Sequence, residues 1–407
     1  MHKVKIIGGR VVTPMRIFED AELCLAGGEI VSVGKYDPGT NASFRVVDAN
    51  GLFVAPGFVD IHAHGGGGHD FMDGTPEAFL GAAEAHARHG TTCLVPTTLS
   101  AADGEIFEAF ASLRAAKEKN TRGAEMPGLH LEGPYFADAQ RGAQDPALLK
   151  VPERAHWEKI LDAGGRDILR WSAAPELPGG LELGRALAAR GVLAAVGHSD
   201  ATEGEMLAAY ENGYTHVTHL YSCMSTIRRT GGYRVPGVLE TARIYPEFTA
   251  EVIADGHHLP ESLLRAAFRE MGTARIALVT DAMRGAGMPE GDSVLGSLKN
   301  GKPCVIEGGV AKLPDRSAFA GSVATADLLV RNMVNLAGAS LPEAVRMMTL
   351  TPARIMGFRK KGVLAPGRDA DIVLFDRDIR MEMTIVGGRI VYDRGGEADC
   401  ENSRLIY

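Results

Sequence analysis

The feature of this sequence that most limits its fold is a regular alternation of apolar and helical segments through its middle. Eight short apolar runs are typical of buried β-strands, and they span 57–62, 91–98, 128–132, 169–174, 192–198, 216–220, 249–254 and 276–280. Segments rich in Ala, Leu, Glu and Arg at helical spacing separate them, at 76–89, 104–119, 181–190, 203–212 and 261–271. Eight β-then-α units predict an α/β protein with a closed (β/α)8 TIM barrel, whose catalytic groups lie at the carboxyl ends of the strands.

The two ends of the chain have a different pattern. Short alternating segments separated by Gly, Pro and Asp run from Lys3 to Val47, and the same pattern returns at 370–375 and 383–392. Each end alone has too little apolar surface for an independent core. We therefore expect residues 1–55 and 361–407 to form one small β-sandwich domain, with the barrel between them at 56–360.

Composition excludes several classes of function. No apolar run approaches the roughly 18 to 20 residues that a membrane-spanning helix needs, and the first ten residues lack the apolar core of a secretory signal. The formal charge of −8 argues against a nucleic-acid or anionic-membrane surface. The five cysteines contain no CxxC pair and predict neither a disulfide framework nor a cysteine zinc site. We expect a cytoplasmic protein without nucleic-acid or membrane partners.

Polar side chains end several of the predicted strands. His62 and His64 lie two residues apart at the end of the first strand, so both imidazoles face the same side. Glu132, His198 and His219 end three further strands, and Asp281 follows the eighth. Burying such a group without a hydrogen-bond partner has an unfavourable free energy on the order of kcal/mol. They are therefore expected to meet above the barrel, although local hydrogen bonds at six unrelated positions are the alternative.

Imidazole and carboxylate together are the ligands of Zn²⁺ or of similar ions such as Fe²⁺, Mn²⁺ or Co²⁺. The fourth strand ends in 171–176 without a lysine, so a carbamylated lysine bridging two metals is not supported. Glu132 is the better candidate for the carboxylate ligand. The sequence predicts a divalent metal centre, with zinc favoured.

The chain resembles the amidohydrolase superfamily and, within it, the N-acetylglucosamine-6-phosphate deacetylase family. The resemblance covers nearly the whole chain. The motifs that carry it are PGFVDIHAHG at 56–65, LEGP at 131–134, GHS at 197–199, THLY at 218–221, IADGHH at 253–258, LVTDA at 278–282, AGS at 320–322 and GVLAPGRDAD at 362–371. The first and last of these are shared widely across the superfamily, whereas LEGP, THLY and ADGxH are more specific.

The resemblance implies a metal-dependent barrel with a β-sandwich built from both chain ends, which removes acetate from an N-acetylamino sugar 6-phosphate. By matching motif, Glu132, His198 and His219 would hold the principal metal ion, and His62 and His64 would bind a second one. Both one-ion and two-ion sites remain open. A bound divalent ion acidifies water toward a pKa of about 7. Asp281 is the expected general base, which accepts the proton of the attacking water and returns it to the amine nitrogen.

Substrate-binding residues also follow from the resemblance. His258 aligns with the family's substrate histidine, and Arg234 matches an arginine that reaches the phosphate across a subunit boundary, which implies a homodimer. The backbone N–H groups of Ser222 and Cys223 are further candidate donors. Two departures leave the exact hexosamine open: 222–224 reads Ser-Cys-Met where the family has Asn-Ala-Met, and Gln144 replaces a histidine.

Three other functions are weighed against the deacetylation of N-acetylglucosamine 6-phosphate. The first is the same reaction on N-acetylgalactosamine 6-phosphate or another N-acylhexosamine phosphate. The second is an amidohydrolase that acts on a cyclic amide or a dipeptide. The third is a binding protein that has kept only the fold, but such a protein is expected to have lost metal ligands that are present here.

Overall fold

The structure, a computed structural model, describes residues 3–35, 37, 43–395 and 405–406. Its β-strands, in chain order, are β1 (Lys3–Val12), β2 (Ile17–Ala26), β3 (Glu29–Lys35), β4 (Arg45–Asp48), β5 (Phe53–Pro56), β6 (Phe58–Ala63), β7 (Gly65–Gly66), β8 (His69–Asp70), β9 (Thr91–Pro96), β10 (Leu129–Glu132), β11 (Ile168–Ala173), β12 (Leu193–Val196), β13 (Tyr214–Val217), β14 (Arg228–Thr230), β15 (Tyr233–Val235), β16 (Thr249–Val252), β17 (Ile276–Leu278), β18 (Gly291–Leu295), β19 (Lys302–Glu307), β20 (Val310–Lys312), β21 (Phe319–Ser322), β22 (Ile372–Phe375), β23 (Met381–Val386), β24 (Arg389–Asp393) and β25 (Leu405–Ile406).

The α-helices are α1 (Pro76–Ala87), α2 (Asp103–Lys119), α3 (Arg154–Gly164), α4 (Gly180–Ala189), α5 (Glu203–Glu211), α6 (Val238–Ile244), α7 (Glu261–Met271), α8 (Ala326–Asn332), α9 (Leu341–Met348) and α10 (Leu350–Ile355). All eight predicted strand segments and all five predicted helical segments are present. Helices α9 and α10 were not among the segments predicted from the pattern, and neither were α3, α6 and α8, which each follow one of the eight strands. Two of them have only seven residues, which is too short for a clear helical period.

The protein is a mixed α/β fold around a curled parallel sheet. Strands β10, β11, β12, β13, β16 and β17 pair in that order, all parallel, and β6 pairs with β9, also parallel. Parallel bridges from Thr97 to His130 and from Ala63 to Ala282 join the pair to the two edges of the six-stranded sheet. A helix follows each of the eight strands before the next one begins. This arrangement is consistent with the predicted barrel.

The two chain ends meet in one nine-stranded sheet, as expected from their shared pattern. Its main order is β24, β23, β22, β5, β1, β2, β3, and β4 pairs with both β1 and β25. Strand β5 from the first end pairs antiparallel with β22 from the second, with Val54 opposite Leu374. Apolar side chains from both ends form a cluster of their own. The two-layered sandwich itself stays a prediction.

A four-stranded antiparallel sheet, β18 to β21, is inserted between β17 and α8. The sequence pattern did not indicate this sheet. Buried Arg284 fastens this sheet to the loop after β6: it donates to the carbonyls of Gly68 at 2.8 Å and Gly296 at 2.9 Å, and to Asp73 at 2.7 Å. The inserted sheet is therefore held as a fixed wall above the strand ends. Among the described helices, none has the length and apolarity to cross a bilayer.

Lys361 joins the terminal sheet to the parallel strands. Its buried ammonium lies 2.7 Å from Glu125, 2.7 Å from Asp371 and 3.1 Å from Asp369. The three carboxylates alone resemble a cation site, but the lysine already supplies the positive charge between them. A buried carboxylate that loses its partner is strongly destabilising.

Replacement of Lys361 by Met is therefore expected to lower the free energy of unfolding by about 3 to 5 kcal/mol, because the facing carboxylates lose their counter-charge. Chemical denaturation followed by circular dichroism measures this loss. Lys360→Met is the matched control, since that side chain is exposed and pairs with Glu29 at the surface, where such a pair contributes about 0 to 1 kcal/mol. Equal losses in both variants would contradict the proposed role of Lys361.

Candidate metal centre and substrate cavity

The six residues predicted as metal ligands or general base lie together at the carboxyl ends of the parallel strands, and all are buried. Glu132 is the last residue of β10, and His62 and His64 lie at and just beyond the end of β6. His198, His219 and Asp281 follow β12, β13 and β17 by two or three residues. The structure therefore brings together side chains that are up to 219 positions apart in the sequence, as the strand-end argument predicted.

Three of these residues have a backbone conformation that side chains rarely adopt. His198, His219 and Asp281 have φ values of 48°, 26° and 47°. A left-handed conformation at a non-glycine residue is unfavourable by roughly 1 to 3 kcal/mol and persists only where the surrounding structure enforces it. The turns that follow β12, β13 and β17 are thus shaped to aim these side chains.

Glu132 is the centre of the cluster. Its Oε1 lies 3.2 Å from His219 Nε2 and 3.4 Å from His198 Nε2, and its Oε2 lies 3.4 Å from His64 Nε2. The Nε2 atoms of His198 and His219 are 3.2 Å apart, and those of His62 and His64 are 3.3 Å apart. Asp281 Oδ1 lies 3.3 Å from His62 Nε2 and 3.2 Å from His64 Nε2.

The outer ring nitrogens fix which atoms face the centre. His198 Nδ1 lies 2.8 Å from the Gln140 carbonyl, and His219 Nδ1 lies 3.1 Å from the Ser222 carbonyl. A carbonyl only accepts, so both Nδ1 atoms carry hydrogen, and in the neutral rings both Nε2 atoms present lone pairs to each other and to Glu132. Facing lone pairs beside a carboxylate repel unless a cation lies between them. Metal-bound histidines characteristically donate their outer N–H in this way.

The spacing of the donor atoms fits a metal ion. Two trios, His62 with His64 and Glu132, and Glu132 with His198 and His219, each offer ligand atoms within 4.8 Å of one another. With zinc–nitrogen bonds of about 2.0 to 2.1 Å, ligand atoms on a tetrahedron lie about 3.3 Å apart, which matches the observed separations. The residues therefore fit one divalent ion in each trio, with Glu132 shared.

The charges of the cluster shift the pKa values of its members. Burial would lower the pKa of His64, but the hydrogen bond to Asp281 and the charge of Glu132 raise it to about 9. Burial lowers the pKa of His62 to about 3, although the charges of Asp281 and Glu132 oppose that shift. Burial raises the pKa of Asp281, yet the neighbouring His62 and His64 lower it to about 2. Asp281 is therefore ionised at neutral pH.

Beneath the cluster lies a buried ion pair that no sequence motif indicated. Glu251 on β16 accepts from His62 Nδ1 at 3.0 Å and from the backbone N–H of His219 at 3.0 Å. Its other oxygen is bonded by Arg170 on β11, which also donates to Thr218 at 2.9 Å. Burial lowers the pKa of Arg170 to about 9, so the guanidinium is still charged. The only signal in the sequence is a charged residue inside each of two apolar strand runs.

A cavity of about 310 Å³ opens above the cluster. Of the predicted substrate-binding residues, His258, Ser222, Cys223 and Gln144 line it, whereas Arg234 does not. Arg234 lies on the exposed β14–β15 hairpin, and among the residues that the structure describes its guanidinium donates only to the Gly232 carbonyl, at 3.4 Å. His258 Nδ1 is held by Asp255 at 2.6 Å, which leaves Nε2 as the free atom of the ring.

Two of the cavity residues are already engaged by the protein. Gln144 accepts from the Ser100 N–H at 3.1 Å and donates to Glu132 Oε2 at 3.0 Å, so its amide links the cavity wall to the cluster. The Ser222 N–H donates to the His219 carbonyl at 2.9 Å. The Ser222 N–H was expected to be available to substrate. It is not, because it forms this hydrogen bond within the turn after β13.

Comparison with known proteins gives a family match over most of the chain. The sequence pattern of the amidohydrolase family matches residues 53–391. The N-acetylgalactosamine-6-phosphate deacetylase of Escherichia coli O157:H7 is 31% identical over 385 residues, which cover 94% of this chain and 97% of that protein. The N-acetylglucosamine-6-phosphate deacetylase of Lysinibacillus sphaericus is 34% identical over 348 residues, which cover 84% and 87%.

Solved structures show the same fold. A variant of the N-acetyl-D-glucosamine-6-phosphate deacetylase of Mycobacterium smegmatis, in complex with N-acetyl-D-glucosamine-6-phosphate, has a TM-score of 0.87 and 31% identity, covering 96% of this chain and all of that one. The N-acetylglucosamine-6-phosphate deacetylase of Pasteurella multocida, at 24% identity, has a TM-score of 0.88 over 95% of this chain and 99% of that one. The latter likeness supports the fold alone.

Replacement of Glu251 by Gln is expected to weaken metal binding about 10- to 100-fold, because the neutral amide holds the His62 ring and Arg170 less firmly than the carboxylate does. Titration of the metal-stripped protein with Zn²⁺ against a chelator measures the affinity, and circular dichroism monitors the fold. Glu247→Gln, in the exposed segment just before β16, is the control. Unchanged affinity in a folded Glu251→Gln protein would show that the ion pair does not position the ligands.

Proposed function

Because the chain belongs to the amidohydrolase family, we propose that it is a metal-dependent hydrolase that converts N-acetyl-D-glucosamine 6-phosphate to D-glucosamine 6-phosphate and acetate. The observation that carries this proposal is the convergence of four imidazoles on the Glu132 carboxylate, with Asp281 beside them, at the floor of a cavity. The named activity of the relatives over most of the chain supports the substrate class.

Glu132, His198 and His219 would hold the principal ion, and His62 and His64 with Glu132 a second one. Imidazole and carboxylate at tetrahedral spacing favour Zn²⁺, with Fe²⁺, Mn²⁺ and Co²⁺ as the related possibilities. When bound, a divalent ion supplies Lewis acidity, which polarises the acetyl carbonyl and acidifies water. The role of the chain is to fix the ligand atoms, which the outer hydrogen bonds to Gln140, Ser222 and Glu251 accomplish.

Asp281 is the proposed general base and acid. Its carboxylate is buried and ionised, and its Oδ1 lies 3.3 Å from His62 Nε2 and 3.2 Å from His64 Nε2. It would accept a proton from the attacking water and return it to the amide nitrogen as the carbon–nitrogen bond breaks. The second proton of the water also passes to this nitrogen, so the products are acetate and the protonated amine.

The substrate would lie between the cluster and the inserted sheet. The proposed contacts to the sugar are His258 Nε2 and the sides of Cys223 and Ser222 that face the cavity. Gln144 would form part of the pocket wall, where its hydrogen bond to Glu132 holds it. Arg234 would act only across a homodimer, since it lies outside the cavity of its own chain. Tyr233 beside it is 81% exposed and Ile227 is 55% exposed, which supports an interface at this hairpin.

The same reaction on N-acetylgalactosamine 6-phosphate is the second candidate. It is supported by the similarity to the Escherichia coli protein of that name, which is 31% identical over 94% of the chain, and the departures at Gln144, Ser222 and Cys223 leave the hexosamine open. The two sugars differ only in the orientation of one hydroxyl, so the chemistry at the metal is common to both.

We extend the proposal to the architecture and location of the protein. The bridges at Thr97 and Ala63 support closure of the eight strands into a (β/α)8 barrel over 56–360. The shared nine-stranded sheet supports one β-sandwich domain from 1–55 and 361–407. We propose a cytoplasmic location for this enzyme.

Replacement of Asp281 by Asn is expected to lower kcat at least 100-fold with little loss of bound metal, because the amide cannot accept the proton of the attacking water. Acetate release on metal-replete enzyme measures kcat, with N-acetylglucosamine 6-phosphate and N-acetylgalactosamine 6-phosphate assayed in parallel. Asp292→Asn, on the exposed face of β18, is the control. Turnover retained by Asp281→Asn would overturn its assignment as the base.

A further inference from the structure

We propose that Gly321, in the last strand of the inserted sheet, positions the Asp281 carboxylate for proton transfer. The proposal rests on the proposed function, in which Asp281 is the base. Gly321 is the middle residue of the AGS motif at 320–322 and lies on β21. It is a positioning residue, because it acts through the backbone of the turn that carries Asp281.

The backbone of Asp281 is held on both sides. Its N–H donates to the His62 carbonyl at 2.8 Å, and its own carbonyl accepts the Ser322 N–H at 3.0 Å. The first bond comes from β6 of the parallel strands, and the second comes from β21. The φ of Asp281 is 47°, and a non-glycine residue keeps this left-handed conformation only where its surroundings enforce it. These two bonds supply that constraint.

The inserted sheet continues the pairing beyond Asp281. The Met283 N–H donates to the Ser322 carbonyl at 2.8 Å, and Ala282 forms parallel bridges to both Ser322 and Ala63. The turn after β17 therefore lies between β6 on one side and β21 on the other. Because β21 also pairs with β20, these bonds tie the turn to the whole inserted sheet.

The conformation of Gly321 permits this contact. Its φ is 85°, in the left-handed region that favours glycine. The peptide bond after Gly321 carries the Ser322 N–H, so the direction of that N–H depends on the backbone at Gly321. An alanine at this position would relax toward negative φ and turn the N–H away from the Asp281 carbonyl.

Space alone does not explain the glycine. A Cβ atom at position 321 would lie 3.4 Å from the Asp281 carbonyl oxygen and 3.4 Å from Met283 Cβ, which are ordinary contact distances. The left-handed backbone is thus the reason that glycine is needed here.

The side chain of Asp281 follows from this backbone arrangement. Its Oδ1 lies 3.3 Å from His62 Nε2 and 3.2 Å from His64 Nε2. The bond to the His62 carbonyl fixes one side of the turn relative to these rings, and β21 fixes the other. Loss of the second bond lets the turn rotate and displaces the carboxylate. A misplacement of about 1 Å in a catalytic site can lower the rate about 100-fold.

The test compares Gly321→Ala with the parent enzyme and with Gly308→Ala as the matched control. Gly308 is exposed in the turn between β19 and β20, and its φ is 60°. A Cβ there would meet no atom of the described residues within 4 Å beyond its chain neighbours. Both variants thus place alanine at a left-handed position of the same sheet, but only Gly321→Ala lies beside Asp281.

For Gly321→Ala we expect kcat to fall about 10- to 100-fold while KM changes less than about threefold. Gly308→Ala should keep kcat within about twofold of the parent value. Thermal unfolding followed by circular dichroism checks that both variants are folded. Loss of the fold in Gly321→Ala alone would show a purely structural role and contradict the proposal.

A double-mutant comparison separates positioning of the base from a general loss of activity. In Asp281→Asn the base is already absent, so adding Gly321→Ala should lower the remaining kcat less than about twofold, whereas independent effects would multiply. Zinc affinity, titrated on the metal-stripped protein against a chelator, should stay within about threefold of the parent value, because the ligand side chains are unchanged.

A crystal structure of Gly321→Ala gives a readout that does not need turnover. The distance from Asp281 Oδ1 to His64 Nε2 should differ from the parent distance by more than about 0.5 Å, the tolerance of a catalytic constellation. An unmoved carboxylate, a loss that multiplies with that of Asp281→Asn, or a change mainly in KM would overturn the proposal. If the parent released no acetate, the proposed function would fail, whereas the displacement of Asp281 would still decide the role of Gly321.

Discussion

The convergence of four imidazoles on the Glu132 carboxylate is the constraint on which the site depends. Lone pairs and a carboxylate converge within 3.2 to 3.5 Å in a buried space, an arrangement that is stable only when positive charge lies among them. The protein holds the rings from outside, through two backbone carbonyls and Glu251. Left-handed turns at His198, His219 and Asp281 add the backbone constraint. Preorganisation of this kind is what metal-assisted amide hydrolysis requires.

The molecule divides chemistry and recognition between different elements. The carboxyl ends of the parallel strands carry the proposed metal ligands and the proposed base, whereas loops and the inserted sheet shape the cavity above them. Gln144 connects the two, because its amide bonds both the Ser100 backbone and Glu132. Arg284 makes the second connection, between the inserted sheet and the loop after His64. The cavity loops are thus joined to the residues around Glu132 by a few hydrogen bonds.

Much of the fold and most of the central cluster were predictable because their signals are local. Each parallel strand is a short apolar run, and each ligand lies at the end of one, so the topology brings His62, Glu132 and His219 together without further information. The role of the Arg170–Glu251 pair could not be predicted from the sequence. Each residue is one charge in an apolar strand, and only the closing of the sheet shows that β11 places Arg170 against β16.

The sequence by itself determined the number and order of the parallel strands, the joining of the two chain ends and the identity of the residues that meet around Glu132. Periodicity and strand-end position encode these features within a few residues. Only the tertiary structure decided which ring nitrogens face the centre, that the Ser222 N–H is already used, that Arg234 lies outside the cavity and that β21 bonds the backbone at Asp281. Those facts depend on distances between segments far apart in the chain, which no local pattern records.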